Sequence, residues 1–419
     1  MRDSVTFVHT ADLHLDAPFA GISADDPRVG RELADATYQA FSRVVDVCLE
    51  RSADFLVIAG DAYNSADKSL RAQLRFRAQL QRLADAGIEV FLSHGNHDPL
   101  SGWSAGIELP DTVRVFPADR VARFEVMRDG DVIAAVYGRS FARAAETENF
   151  ALGYSRQGDE PVAIGVLHAN VGGNTDYDPY APASLSDLRA AGLDYWALGH
   201  IHKQEVLARD PWVVYAGSPQ GLNPKETGAH GCFVVTAGRG GVTDVEAVNT
   251  AAIVWAQLEV DAGEAETVDD VRRALIEACA TVSADAACPC VARVRLVGRS
   301  RAHADLARPG LLGELAEDLR GEQAARAPWL WLDRLDDRTS RILDVAELRE
   351  SADFSGELVR ASDGLSTDPG QLAAVVSGLS APLAATLSGY SPGLSDAELL
   401  AAARDSALDL LVPEGGDGR

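Results

Sequence analysis

The sequence lacks any stretch of about 18 uncharged apolar residues, so it predicts no transmembrane helix. No apolar signal-peptide core precedes the first strand pattern at Val5–Val8. Cysteine is scarce, with five residues scattered through 419, which excludes a disulfide framework and favours a reducing compartment. These absences predict a cytoplasmic protein with no membrane-spanning segment.

Positive charge is also scarce. The chain has 38 Lys and Arg residues against 63 Asp and Glu, a net charge of -25, and its only lysines are Lys68, Lys203 and Lys225. This balance excludes a protein that coats nucleic acid by electrostatics alone. It does not exclude a nuclease, because carboxylates are metal ligands. The 47% hydrophobic content excludes a wholly disordered chain.

Three regions follow one another along the chain. Residues 1–250 alternate short apolar runs with helical periodicity, which predicts an α/β domain. Residues 251–336 predict a smaller α/β domain, and residues 337–419 predict a helical C-terminal region. The strands predicted for the first region are Val5–Val8, Phe55–Ala59, Val90–Ser93, Val132–Tyr137, Val162–Leu167, Tyr195–Leu198, Val213–Tyr215 and Cys232–Val235.

The last predicted helix spans Asp396–Leu411, and Ser395 with Glu398 forms a capping-box pattern at its start. Leu400, Ala403, Ala407 and Leu411 share one face of this helix. That face either docks into a groove on a partner or packs back on the chain's own second domain.

Five polar clusters come at or just after the ends of predicted strands, where α/β sheets gather their ligands. They are Asp12-Leu13-His14, Gly60-Asp61, Gly95-Asn96-His97-Asp98, His168 and Gly199-His200-Ile201-His202. Asp, Asn and His supply oxygen and imidazole donors, which suit manganese, iron or zinc better than a thiolate site would. The glycines allow sharp turns at the strand ends. Seven donors are about the number that two metal ions with one bridging carboxylate require.

This ordered set resembles the calcineurin-like metallophosphoesterases. Longer stretches resemble the bacterial SbcD/YhaO-type DNA-repair exonucleases of that superfamily, and the YhaO branch fits best. Those stretches are Phe7–Phe19, Gly192–Lys203, Tyr215–Gly221 and Glu226–Cys232. The resemblance implies a four-layer αββα metallophosphoesterase sandwich, a small α/β cap domain and a helical C-terminal region that is a possible partner-binding segment.

The resemblance also implies a role for each donor. Asp12, His14, Asp61 and His202 are expected to hold a first divalent transition-metal ion. Asp61 bridges to a second ion, which Asn96, His168 and His200 complete; manganese is the expected metal. His97 corresponds to the family's histidine that contacts the scissile phosphate or leaving group, and Asp98 to the residue that orients it.

Three further residues are weaker candidates for substrate contact. The family often has a histidine three residues after the bridging aspartate, and here that position is Asn64, which puts phosphate positioning in question. Arg139 and Lys203 are candidate phosphate contacts, each with a solvated role as the alternative. His9 and His94 flank the motifs and are expected to support the loops.

The expected function is metal-dependent DNA phosphodiester hydrolysis in DNA repair, as an exonuclease or endonuclease. The resemblance implies DNA and an SMC-like ATPase as partners and leaves a homodimer open. Two alternatives remain. A phosphoesterase for a small substrate, such as a cyclic nucleotide or nucleotide-sugar, is favoured by the acidic balance. A non-catalytic regulatory subunit is opposed by the intact donor set.

Overall fold

A computed structural model of the chain describes residues 4–19, 22, 26–286, 288–383 and 395–411. The chain divides into two compact units. The first comprises Met1–Gln257, Val282–Ala292 and Gln323–Asp333, and the second comprises Leu258–Thr281, Arg293–Glu322 and Arg334–Arg419. The domain boundaries after residues 250 and 336 stay predictions.

The first unit is built on two six-stranded sheets, with strand orders β12-β11-β1-β2-β3-β4 and β5-β6-β7-β8-β10-β9. The strands are β1 Ser4–Thr10, β2 Phe55–Ala59, β3 Glu89–Ser93, β4 Val113–Val115, β5 Ala122–Arg128, β6 Asp131–Gly138, β7 Ala163–His168, β8 Tyr195–Gly199, β9 Glu205–Arg209, β10 Trp212–Tyr215, β11 Gly231–Gly238 and β12 Gly241–Asn249. A separate three-stranded sheet has the order β13-β14-β15, with β13 Val254–Asp261, β14 Cys290–Val297 and β15 Leu330–Asp337.

The helices of the described residues differ in length, and none is long and apolar enough to cross a membrane. They are α1 Pro27–Glu50, α2 Leu70–Asp85, α3 Leu185–Ala190, α4 Val268–Ala286, α5 His303–Leu306, α6 Leu311–Ala324, α7 Val345–Glu350, α8 Phe354–Ser366, α9 Pro369–Leu383 and α10 Asp396–Leu411. A 3₁₀ turn spans Phe150–Gly153.

Alternation along the strands separates the cores of the first unit. In β2, Phe55 and Val57 point into the core between the two sheets, whereas Leu56 and Ile58 point into the core under α1 and α2. This follows from the two-residue period of a strand. A third core, which includes Trp196, lies on the outer face of the second sheet beside α3. The layers are therefore α, β, β and α, as the sequence predicted.

The eight predicted strands of the first unit are the eight interior strands, and all are confirmed. The four strands that were not predicted, β4, β5, β9 and β12, are the outer strands of the two sheets. Their residues are in large part only partly buried or exposed, as in β12. They lack the run of fully buried apolar residues that marks a central strand.

Parallel pairing brings the polar clusters to one edge. β1, β2 and β3 run parallel in the first sheet, and β7 and β8 run parallel in the second. The ends of the two sheets meet at this edge. The His168 ring at the end of β7 is hydrogen-bonded to the carbonyl oxygen of Ala59 at the end of β2, at 2.9 Å. The loops after five parallel strands therefore share one small space.

In the second unit, the last helix packs on its own chain. Arg299 Nη2 lies 2.5 Å from Asp405 Oδ1, Arg341 pairs with Asp409 at 3.2 Å, and Leu408 is fully buried. The predicted capping box is present, since Glu398 accepts from Ser395 N at 2.7 Å. The helix thus packs on the chain through Leu408, which is not one of the four residues of the predicted face, and a partner-binding role for that face stays a prediction. The exposed side includes Ala403 and Leu411.

Candidate metal centre

The loops that carry the donors depart from ordinary backbone geometry. Asp12, His14, Asp61 and His200 all have positive φ, at 51°, 42°, 50° and 96°. Non-glycine residues rarely adopt this region, and such strain concentrates at functional sites. Hydrogen bonds hold the strained loops together: Asp12 N donates to Gly60 O at 3.0 Å, and His14 N donates to Asp61 O at 3.1 Å.

The glycines of the motifs make room for His168 as well as forming turns. Gly60 has φ of 97°, as a sharp turn requires, but Gly95 and Gly199 have no positive φ. A Cβ at any of the three would lie under 3.0 Å from the fully buried His168 ring. At Gly95 it would also collide with the Asp61 carboxylate. Three strand ends thus close on one imidazole because each contributes a residue without a side chain.

One group of donors lies around His14. Its Nε2 is 3.1 Å from Nε2 of His202 and 3.9 Å from Oδ2 of Asp61. Donor atoms of Asp12, His14 and His202 all lie within 4.8 Å of one another. Burial lowers the pKa of His14 to about 3, so its ring is neutral. Two imidazole nitrogens that face each other at this distance fit a cation between them.

A second group lies around His168. Its Nε2 is 2.9 Å from Oδ1 of Asn96 and 3.3 Å from Oδ2 of Asp61. Asp12, Asp61 and His168 form another group with donor atoms within 4.8 Å. The His200 ring lies against the His168 ring, with centroids 5.2 Å apart. Asp61 also forms a group with His14 and His97 within the same distance, so its carboxylate lies beside both His14 and His168, as a bridging ligand must.

The outward nitrogens of three donor histidines are held by acceptors. His168 Nδ1 faces the carbonyl of Ala59 at 2.9 Å, and His200 Nε2 faces the carbonyl of Asp178 at 2.8 Å. His202 Nδ1 faces the carboxylate of Glu226 at 2.9 Å. Such partners fix the tautomer and direct the other nitrogen of each ring inward, as in protein metal sites. The donor set therefore fits divalent metal ions.

The charges of the donor side chains influence one another. Burial raises the pKa of Asp12 to about 6 and lowers that of His200 to about 4. Burial also opposes charge on His168, but the nearby Asp61 carboxylate raises its pKa to about 9. Conversely, burial alone would raise the pKa of Asp61, yet His168 holds it well below its usual range. His168 and Asp61 therefore pair with each other inside the donor cluster, with Nε2 and Oδ2 3.3 Å apart.

The comparisons with known proteins agree with this geometry. Residues 5–204 match the family described as calcineurin-like phosphoesterase, and residues 255–340 match the middle domain of metallophosphoesterase YhaO. The chain is 35% identical to the uncharacterized metallophosphoesterase YhaO of Bacillus subtilis, over 83% of this chain and 85% of that protein. The chain belongs to the calcineurin-like metallophosphoesterases.

More distant relatives carry nuclease and repair names. This metallophosphoesterase is 27% identical to the DNA double-strand break repair protein Mre11 of Methanopyrus kandleri, over 57% of this chain and 56% of that protein. It is 24% identical to a subunit of the nuclease SbcCD of Escherichia coli, over 58% of this chain and 67% of that protein.

His97 lies beside the donors and is exposed. Its ring centroid is 4.8 Å from that of His14, and its backbone N–H donates to Oδ1 of Asp61 at 2.9 Å. Its Nδ1 faces the backbone carbonyl of Asn64 at 3.1 Å. The position that departs from the family pattern thus contributes a backbone oxygen, which an asparagine supplies as well as a histidine would.

The contacts of Asp98 differ from the expected ones. Its carboxylate accepts from the backbone N–H groups of Ala62 at 3.0 Å and Gly95 at 2.8 Å, and it pairs with His94 Nδ1 at 3.0 Å. What the structure places against the His97 ring is the Asn64 carbonyl. The expectation that Asp98 orients His97 directly needs this correction, because the carboxylate instead ties together the loops on which Asp61 and Asn96 lie.

The weaker candidates for substrate contact, Arg139 and Lys203, have different surroundings. Arg139 stacks over Phe150 with its guanidinium 3.8 Å from the ring centroid, and it bonds Ala118 O and Glu148. These contacts explain its position without a substrate. Lys203 is exposed directly after His202, and no carboxylate pairs with it among the described residues. His9 is fully buried and bonds Tyr195, as a supporting residue does.

Two cavities of the first unit lie away from the donors. They measure about 510 and 620 Å³ and are lined by residues such as Arg123 and Arg239 in the first, and Asp54 and Glu89 in the second. Asp54 precedes β2 and Glu89 starts β3, so the second cavity lies at the strand beginnings, whereas the donors follow the strand ends. We assign the chemistry to the donors.

Sequence reasoning missed two side chains at the centre. Glu226 bonds His202, and the Tyr177 ring lies 5.8 Å from the rings of both His200 and His202. The Tyr177 hydroxyl also accepts from His202 N at 3.3 Å. Both side chains come from loops with no fixed spacing to a motif. Glu226 does fall in a segment that carries the family resemblance, which is the one signal that could have indicated it.

Proposed function

We propose that this chain is a metal-dependent DNA phosphodiesterase that uses two manganese ions and cleaves DNA as an exonuclease or endonuclease. The observation that carries the proposal is an exposed imidazole, His97, held beside two groups of metal donors that share Asp61. Donors alone would suit a structural ion. An exposed, oriented imidazole next to them provides an acid for a leaving group.

In this proposal Asp12, His14, Asp61 and His202 hold one ion, and Asp61, Asn96, His168 and His200 hold the other. Bound ions supply Lewis-acid stabilisation of the charge that develops on the phosphoryl group and lower the pKa of water. The protein's own contribution is to hold the donors in strained loops and to keep water out of the His168 side, where the ring is fully buried.

His97 supplies the proton in this scheme. The Asn64 carbonyl accepts from Nδ1–H, which leaves Nε2 as the nitrogen that faces the departing oxygen and donates to it. The bond from His97 N to Asp61 keeps the ring in place relative to the donors. Asp98 acts one step further away, through the loop that it ties to Ala62 and His94.

Two observations favour DNA over a small substrate. Relatives that match more than half of the chain bear the names of a DNA double-strand break repair protein and of a nuclease subunit. In a chain with three lysines, Lys203 follows His202 and Lys225 precedes Glu226, and both are exposed. Exposed cations on this side of the centre suit a phosphate backbone.

We further propose that the chain works with an SMC-like ATPase in DNA repair in the cytoplasm. Net charge of -25 makes lone binding to a polyanion weak, so a partner with basic surface would hold the DNA over the metals. The cap assignment of residues 251–336 and a partner-binding role for part of residues 337–419 belong to the same proposal. The low cysteine content, five residues in 419, suits a reducing compartment.

The test compares three substrates with manganese present: linear duplex DNA, bis-p-nitrophenyl phosphate and cyclic nucleotides. The proposal expects cleavage of DNA and of the generic diester, both abolished by chelation. Cleavage of cyclic nucleotides at higher kcat/KM than DNA would instead establish the small-substrate phosphoesterase that the acidic balance favours. Metal binding with no hydrolysis of any substrate would establish the regulatory subunit.

A further inference from the structure

Among the donor histidines, His202 is held in its own way. Its Nε2 faces Nε2 of His14 at 3.1 Å, so Nε2 is the nitrogen available to a metal. Its Nδ1 faces Oε1 of Glu226 at 2.9 Å, whereas His168 and His200 face backbone carbonyls. The His202 side chain is 20% exposed. The His202 ring is less enclosed than the fully buried His168 ring, so its hydrogen-bond partner contributes more to its orientation.

Glu226 is itself fixed. Its Oε2 accepts from Leu222 N at 2.8 Å, and its Oε1 also accepts from Asn223 Nδ2 at 2.6 Å. The side chain is 13% exposed. The Glu226 carbonyl lies 3.2 Å from Nε2 of His230, whose Nδ1 faces Ser218 O at 3.0 Å. Donors on both sides of the carboxylate therefore hold it in one position against His202.

The loop that carries Glu226 is anchored beyond the site. Gln220 is 1% exposed, and its Oε1 accepts from Ala252 N at 2.9 Å while its Nε2 donates to Ile253 O at 2.6 Å. Trp255 Nε1 donates to Gly221 O at 3.2 Å. These hydrogen bonds tie the loop to the segment 252–255. They hold the backbone that carries Glu226 in place relative to His202.

We infer that Glu226 is a positioning residue for the first metal ion, and that it acts through His202. A carboxylate on Nδ1–H fixes the ring, selects the tautomer with a free Nε2 and makes that nitrogen a stronger donor. Glu226 itself does not contact the metal or the substrate. The inference rests on the proposed two-metal function and adds a residue that the metal motifs do not contain.

The test measures manganese binding, with Mn²⁺ alone, on the full chain and four variants. Glu226→Ala should weaken one of the two sites by about 10- to 100-fold, the usual effect of losing such a partner. Glu226→Gln keeps an oxygen that accepts from Nδ1–H and should lose less. Hydrolysis of bis-p-nitrophenyl phosphate should show a higher Mn²⁺ requirement in Glu226→Ala, with kcat regained at saturating Mn²⁺ and an unchanged KM for the diester.

Two controls separate positioning from loop structure. Asn223→Ala removes one of the two donors to Glu226 but leaves the Leu222 and His202 bonds, and it should weaken Mn²⁺ binding far less than Glu226→Ala does. Glu160→Gln alters another buried carboxylate of the first unit, which accepts from Tyr137 at 2.6 Å far from the donors, and it should leave both sites unchanged.

Equal Mn²⁺ affinities in wild type and Glu226→Ala would overturn the inference and leave the proposed function standing. So would an equal loss at both sites that Asn223→Ala reproduces, because Glu226 would then only order its loop. A wild-type chain that binds no Mn²⁺ would overturn the proposed function together with the inference.

Discussion

On the His168 side of the metal centre, three glycines let strand ends close around a fully buried ring, whereas on the His202 side a loop supplies Glu226 to hold a ring that is 20% exposed. The first side is built by the sheets and the second by a loop between β10 and β11. The difference shows that one metal centre can combine a site fixed by packing with a site fixed by hydrogen bonds. The two sides should respond differently to mutation.

Removing Asp61 should have the largest effect, because its carboxylate belongs to both sides. Asp61→Ala should lose most of the bound Mn²⁺, near two ions per wild-type chain, and should lower kcat by at least about 10³-fold, since the ions supply several kcal/mol of charge stabilisation. Metal analysis after desalting, with diester kinetics, checks this. Two tightly held ions in the variant would show that the sides do not share Asp61.

Removing the His97 imidazole should lower the rate of hydrolysis without lowering the affinity of either metal site. His97→Ala should keep both ions and the melting temperature but lose at least about 10²-fold in kcat, the scale for a lost general acid. Calorimetric Mn²⁺ titration and diester hydrolysis provide the measurements. A fall in metal content would make His97 a ligand.

A methyl group at Gly95 should damage the packed side first. The added Cβ would collide with Asp61 and His168, so Gly95→Ala should lower the free energy of unfolding by about 1–3 kcal/mol and weaken the second metal site. Gly240→Ala is the matched control, since nothing lies within 4 Å of its added Cβ. Urea unfolding and Mn²⁺ titration compare them. Similar behaviour of the two variants would contradict a role of packing at Gly95.

The pH dependence of Mn²⁺ affinity should reflect the titration of His168, on the packed side of the centre. The pKa of His168 is raised to about 9 without metal, so below that pH a metal ion must displace a proton from the ring. Mn²⁺ affinity should therefore rise about tenfold per pH unit between pH 7 and 9 and level off above. Calorimetry in buffers of different ionisation enthalpy also counts the released proton. A flat profile over this range would contradict the assignment.

The same contrast explains what the sequence could predict. Buried interior strands show as apolar runs, and donors that follow them at parallel ends must meet, so Asp12, Asp61 and His168 were found. The outer strands β4, β5, β9 and β12 show no such run. Asp98 was expected to orient His97 because the family pattern gives that role to its position, but the direction of a side chain in a tight loop depends on which backbone N–H groups it meets.

Glu226 shows the other limit. It lies 24 positions after His202, and only the fold of the intervening strands brings its carboxylate to the ring. No spacing rule connects two such positions. Donors that directly follow buried strands can therefore be predicted from local sequence patterns. A residue that a distant loop brings to the site can be identified only once the structure is known.

We propose that the donors at the strand ends hold two ions that share Asp61. A crystal structure of the manganese-loaded protein, with anomalous difference maps, tests it most directly. Two peaks are expected, one among Asp12, His14 and His202 and one among Asn96, His168 and His200, both within coordinating distance of Asp61. A single peak, or two peaks of which one has no contact with Asp61, would contradict it.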